Sequence, residues 1–218
     1  MHKSYTLIKF YLKYIDMIMT TTETEILQYF KKNGGVLRFT DVLRAGFHAE
    51  QLKSLFEGGR LEKIGRGIYR LADLPAPSNP DLVNVSLQVP RGVICLISAL
   101  AFHGMTDEIP RHVDVAIERG THGNKIKYPP VKYYRYSPVS WKDGIEEHKI
   151  DGYKVKIYSP AKTVADCAKF RNRLGLPVLK YALKSALFEK KVNPKDILRH
   201  SKKCRSDKVI KPMVEALT

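Results

Sequence analysis

Residues 60–71, RLEKIGRGIYRL, set two short runs of strand character, Leu61–Ile64 and Ile68–Leu71, on either side of Gly65-Arg66-Gly67. A two-stranded ribbon is marginal in water unless another layer covers its apolar side. The preceding sequence supplies that layer. Thr22-Glu23-Thr24-Glu25 has the form of a capping box. The helix it opens carries Ile26, Leu27 and Phe30 inward and stops at Asn33-Gly34-Gly35. A second short helix begins near Thr40, packs Val42 and Leu43, and stops at Gly46. A third, HAEQLKSLFEGG, spaces Leu52, Leu55 and Phe56 for burial and breaks at Gly58-Gly59. Three short helices followed by a ribbon is the order of a winged helix-turn-helix, expected over residues 23–74.

That arrangement explains an arginine between two glycines. Glycines at the tip permit positive φ and remove side chains that would hold the backbone away from a duplex. Arg66 then projects toward a phosphate or a minor groove, with Lys63 beside it on the ribbon. On the third helix, the face opposite Leu52, Leu55 and Phe56 presents Glu50, Ser54 and Glu57, flanked by Gln51 and Lys53. Gln51 suits adenine, and Lys53 suits guanine or phosphate. Arg38 and Thr40, at the start of the second helix, suit backbone contacts. The expected DNA-binding set is therefore Arg38, Thr40, Gln51, Lys53, Ser54, Lys63 and Arg66.

Charge agrees with a polyanionic partner. Lys and Arg number 38 against 22 Asp and Glu, a net of +16 over 218 residues. The excess is uneven: residues 23–74 hold nine basic and seven acidic residues, residues 81–218 twenty-six and fourteen. Cys95, Cys167 and Cys204 are odd in number and lack zinc-type spacing, so neither a disulfide framework nor a cysteine metal site is expected, and a reducing cytoplasm suits them. Residues 1–22 form an expected leader. Its apolar run is interrupted by Lys9, Lys13 and Asp16, which argues against a signal peptide. No stretch has the length and apolarity of a membrane span.

PAPSNPD, residues 75–81, opens an expected linker over 75–84, and a larger mixed α+β domain is expected over 85–218. GVICLISALAFHG has the pattern of an apolar helix closed by Gly104. HVDVAIE alternates with period two, which places Asp114 on the exposed side of a strand, and VKYYRYS alternates likewise. EEHKIDGYKVKIY has a hairpin's form, with Asp151-Gly152 at the turn. Ser159-Pro160 opens a helix, near whose start Asp166 gains from the helix dipole. VLKYALKSALFEKK, a helix begun at Asn193-Pro194 and another over 207–217 complete the domain. There is no internal repeat.

The segment GGVLRFTDVLRAGFHAEQLKSLFEGGRLEKIGRGIYRL resembles the N-terminal module of AbiEi-type antitoxins, and ISALAFHGMTDEIPRHVDVAI and YSPAKTVADCAKF resemble their second domain. The resemblance covers residues 23–200. It implies a transcriptional autorepressor that binds inverted repeats in its own promoter and neutralises a cognate nucleotidyltransferase toxin without a stable complex. It carries over Arg66, Gly67 and Tyr69 as wing residues. In the second domain it carries over Ser98, Ala99, Leu100, His103, Gly104, Pro160, Thr163 and Asp166 as signature positions. Lys162 stands where relatives often have arginine, which argues against a charge-specific role there.

Two other readings compete. One is a plain winged-helix transcription factor whose second domain senses a ligand or dimerises. The other is a nucleic-acid-processing enzyme. Asp107, Glu108, Asp114 and Glu118 lack the spacing of a metal-dependent nuclease, no cysteine or serine nucleophile has an evident partner, and no phosphate-cradling GxxxxGK occurs. No enzyme activity, cofactor or metal is expected.

Overall fold

The computed structural model describes residues 23–75, 78–150 and 152–218. The leader, the capping-box residue Thr22 and the turn residue Asp151 lie outside them. The chain divides between Ala76 and Pro77 into two compact units, and its secondary structure is mixed α+β.

In the first unit, helix α1 runs through residues 23–32. It is followed by β1 (Val36–Arg38), α2 (Phe39–Arg44), α3 (Ala49–Glu57), β2 (Leu61–Gly65) and β3 (Ile68–Leu71). The ribbon is wider than its sequence suggests. β1 pairs antiparallel with β3, Val36 opposite Arg70 and Arg38 opposite Ile68, giving a three-stranded sheet in the order β1-β3-β2. Ile26, Phe30, Val42, Leu52, Leu55, Leu61 and Leu71 form the core beneath it. Gly35 makes the sharp entry into β1: its φ is +79°, and an added Cβ would meet Leu74 Cδ1 at 2.1 Å. Phe56 departs from the expected pattern. It remains 42% exposed, with its ring edge-on to Tyr69 at 6.1 Å, while Leu52 and Leu55 enter the core.

The second unit begins inside the stretch expected to be a linker. Pro80–Gln88 forms helix α4, with Pro80 in its first turn and Val83 and Val85 buried. Proline is tolerated there because the first-turn N–H groups lack helical partners anyway. GVICLISALAFHG is split rather than continuous: β4 (Val93–Ile94) precedes α5 (Leu96–Phe102). Then come β5 (Val113–Glu118), β6 (Val131–Tyr136), α6 (Pro138–Lys142), β7 (Ile145–Ile150), β8 (Tyr153–Tyr158), α7 (Pro160–Lys169), α8 (Arg171–Leu174) and α9 (Leu176–Lys184). A π-helical turn (Ser185–Glu189), α10 (Pro194–Cys204) and α11 (Asp207–Glu215) end the chain.

Its sheet is mixed, in the order β6-β5-β4-β8-β7. β5 runs parallel to β6, and β4 parallel to β8. One face packs on Leu100, Val164, Leu179, Ile197 and Ile210. The other packs on Val83, Val85 and Ala99. Strands covered on both sides lose the polar half of their alternation. β5 shows this directly, since residues 113–117 are all buried.

Candidate nucleic-acid interface

The β2–β3 turn is tight. Gly65 pairs with Ile68 after a bulge that follows Lys63, so Arg66 and Gly67 alone make the tip. Only Gly67 takes positive φ, at +67°; Gly65 does not. The Gly67 carbonyl accepts the Phe39 N–H at 2.8 Å, tying the tip to the start of α2. Arg66 is exposed, and among the described residues no acidic group pairs with it.

The other cations of the hairpin have separate roles. Lys63 is exposed, its ammonium 5.9 Å from the Tyr69 ring centre. Arg70 turns inward with 8% exposure. Its guanidinium binds Glu62 at 3.0 Å and donates to the carbonyls of Leu74 and Pro75. It therefore clamps the chain as it leaves β3.

The helical candidates divide in the same way. Arg38 ends β1 and occupies the N-cap of α2, and Thr40 is exposed on the first turn of α2. Lys53 is exposed on α3, 3.6 Å from Glu57. Gln51 and Ser54 also make bonds within the unit. Gln51 Oε1 accepts the His48 N–H at 2.8 Å and holds the helix start. Ser54 is half-buried and donates to Glu23 at 2.8 Å, bracing α3 against α1. Glu50, Lys53 and Glu57 are exposed on α3 as expected, and Phe56 is exposed with them.

Residues 25–72 match the family described as transcriptional regulator, AbiEi antitoxin. The first unit is AbiEi-like. No curated protein matches the chain. The AbiEi match spans most of α1 and every later helix and strand of the first unit, the ribbon that carries Arg66 included, and makes this unit similar to a transcriptional-regulator module.

In the second unit, the positions carried over by the resemblance make internal hydrogen bonds. His103 Nε2 and Thr163 Oγ1 converge on the Tyr158 carbonyl, at 2.8 and 3.2 Å, fastening the end of α5 and the start of α7 to the end of β8. Pro160 occupies the first turn of α7, where Ser159 Oγ accepts the Lys162 N–H. Ser98 Oγ accepts the Asp114 N–H at 2.9 Å and donates to the His112 carbonyl. Asp114 is not on an exposed strand face. It is 1% exposed, accepts from His112 Nε2 at 3.0 Å and from the Ile97 N–H at 3.2 Å, and so caps α5 from a neighbouring strand. Burial pushes its carboxyl up, and His112 opposes the shift.

Asp166 is likewise not explained by a helix dipole. It lies six residues beyond the first residue of α7, fully buried, bound to Lys162 at 2.5 and 2.6 Å. The charge of Lys162 therefore has a specific use, contrary to the sequence expectation. The sequence did carry a signal for the pair, the i,i+4 spacing of opposite charges, but not for its burial. A second polar knot has no local sequence signal: Asp143 accepts from His200 and Lys203, each at 2.5 Å. Burial alone would raise the Asp143 carboxyl, but the Lys203 and His200 bonds bring it below its ordinary value.

Proposed function

We propose that residues 23–74 form a winged helix-turn-helix and that the chain is a DNA-binding autorepressor and antitoxin. Its toxin in this reading is a cognate nucleotidyltransferase, neutralised without a stable complex. The observation that carries the proposal is Arg66: exposed, without an acidic partner among the described residues, on a tip braced by the Gly67–Phe39 bond. The element order around it supports the same reading, with β1 closing the sheet behind α2 and α3. Arg38, Thr40, Lys53 and Lys63 add positive charge and hydrogen-bond donors on the same unit, and phosphate contacts of this kind set position rather than sequence preference.

We read the second unit as non-enzymatic. Burial pushes the thiols of Cys95, Cys167 and Cys204 up, which holds them in the unreactive protonated form. Asp114 and Asp166 are committed to internal bonds. Among the described residues no helix is long and apolar enough to cross a membrane, and a cytoplasmic location fits a repressor.

Binding of the full chain to the DNA upstream of its own gene tests the DNA reading. Co-expression with a neighbouring nucleotidyltransferase gene, scored as growth rescue, tests the antitoxin reading. Rescue retained by Arg66→Ala alongside lost promoter binding separates the two activities. Absence of promoter binding by the unmodified chain would overturn the repressor assignment.

A further inference from the structure

His103, Glu146 and His148 each bring one donor atom to within 4.8 Å of the others. They arrive from two elements. His103 is the C-cap of α5, while Glu146 and His148 are two apart on β7, where period two puts both on one side of the strand. All three are partly buried.

The hydrogen bonds around the cluster fix its chemistry. A carbonyl can only accept, so His103 Nε2, 2.8 Å from the Tyr158 oxygen, carries the ring proton. In the neutral ring the Nδ1 lone pair is then free. Metal-bound imidazoles are held in this way, with the nitrogen away from the metal donating to a backbone carbonyl that sets tautomer and ring angle. Thr163 donates to the same carbonyl and fixes it in turn. His148 Nε2 lies 3.0 Å from Glu146 Oε2, a contact in which a cation can replace the shared proton. The Phe102 ring packs edge-on against both imidazoles, at 5.3 and 4.9 Å, and forms an apolar wall. The Lys190 ammonium acts against a cation here, and the Glu146 carboxylate acts for one.

We propose that His103 Nδ1, one imidazole nitrogen of His148 and a carboxylate oxygen of Glu146 form a binding site for a divalent d-block cation of the zinc class. Two imidazoles and one carboxylate suit zinc, cobalt or nickel rather than magnesium or calcium. Three protein donors leave the fourth tetrahedral position to water or an added ligand. Zinc bonds of about 2.0–2.1 Å place tetrahedral donors roughly 3.4 Å apart, against the 4.8 Å within which the three donors lie, so a bound ion would draw them together. Occupation would pin the edge strand β7 to the end of α5. No local pattern marks the site, since His103 lies more than forty residues before the Glu146–His148 pair.

The test uses the full chain stripped with chelator, then titrated with zinc chloride and cobalt chloride. We expect one equivalent of either metal to bind, a rise in Tm, and the visible bands of tetrahedral cobalt without a thiolate charge-transfer band. Magnesium chloride should give none of these. His148→Gln and Glu146→Gln, both on an edge strand, should each lower affinity at least tenfold and abolish the Tm rise. His122→Gln, an exposed histidine elsewhere in the unit, should leave both unchanged. Circular dichroism of each variant keeps folding separate from binding. No stoichiometric binding, binding unchanged in His148→Gln, or a thiolate band would each overturn the assignment.

Discussion

Lys162 Nζ touches both carboxylate oxygens of Asp166, at 2.5 and 2.6 Å, with neither side chain exposed to solvent. The ammonium also lies over the rings of Tyr158 and Tyr136, 4.5 and 4.9 Å from their centres. Two ions have been taken out of water, so each depends on the other. Removing one partner leaves an uncompensated buried charge, which costs about 3–5 kcal/mol. Asp166→Ala should therefore lower stability by that amount in urea titration. The double variant Lys162→Met/Asp166→Leu should recover most of it. A double variant as unstable as the single one would show that the pair contributes net stability rather than mutual compensation.

Arg66 and Arg70 stand four residues apart on one hairpin and should fail in opposite ways. Arg66→Ala removes an exposed cation, so Tm should hold while promoter affinity falls and the salt slope of binding drops by about one unit. An unchanged slope would take the tip out of the interface.

Arg70→Met removes the Glu62 ion pair and the bonds to Leu74 and Pro75. Glu62 is about half exposed, so its pair with Arg70 is screened, and loss of the bonds to the Leu74 and Pro75 carbonyls should dominate, costing the first unit at least about 1.5–3 kcal/mol. Its DNA affinity, measured well below the new Tm, should change less than that of Arg66→Ala.

Asp143 sets an acid limit for the second unit. Its folded carboxyl lies below the ordinary value despite burial, because Lys203 and His200 bind the ionised form. A depressed folded pKa contributes stability that is complete above the unfolded value, near 3.9. That stability is lost as pH falls through the folded value. The Tm gap between the unmodified chain and Asp143→Asn should be widest near neutrality and should narrow below about pH 4. A gap independent of pH would assign the knot to shape rather than charge.

Much of this chain can be read locally. Leu52 and Leu55 identify the inward side of α3 from spacing alone. Ser159 and Asn193 mark two helix starts by caps that the structure retains. Ile150 and Tyr153 face each other across the turn the sequence marks with Asp151-Gly152. The misreadings share one cause. Period two predicted an outward Asp114, but β5 is covered on both faces. Helical spacing put Ser54 outward, but α1 reaches it through Glu23. Three prolines suggested a linker, yet Val83 and Val85 had a sheet to cover.

The sequence by itself determined where the chain turns and where helices begin, and it placed an arginine on a glycine-marked tip. These depend on φ preferences and on side-chain bonds a few residues long, which each segment carries with it. Tertiary structure alone decided which charges stay in water. Arg66 remains outside, while Arg70, Lys162, Asp166 and Asp114 go inside. The cost of burying an ion depends on partners supplied by other strands and helices, and no local pattern states which of them will meet.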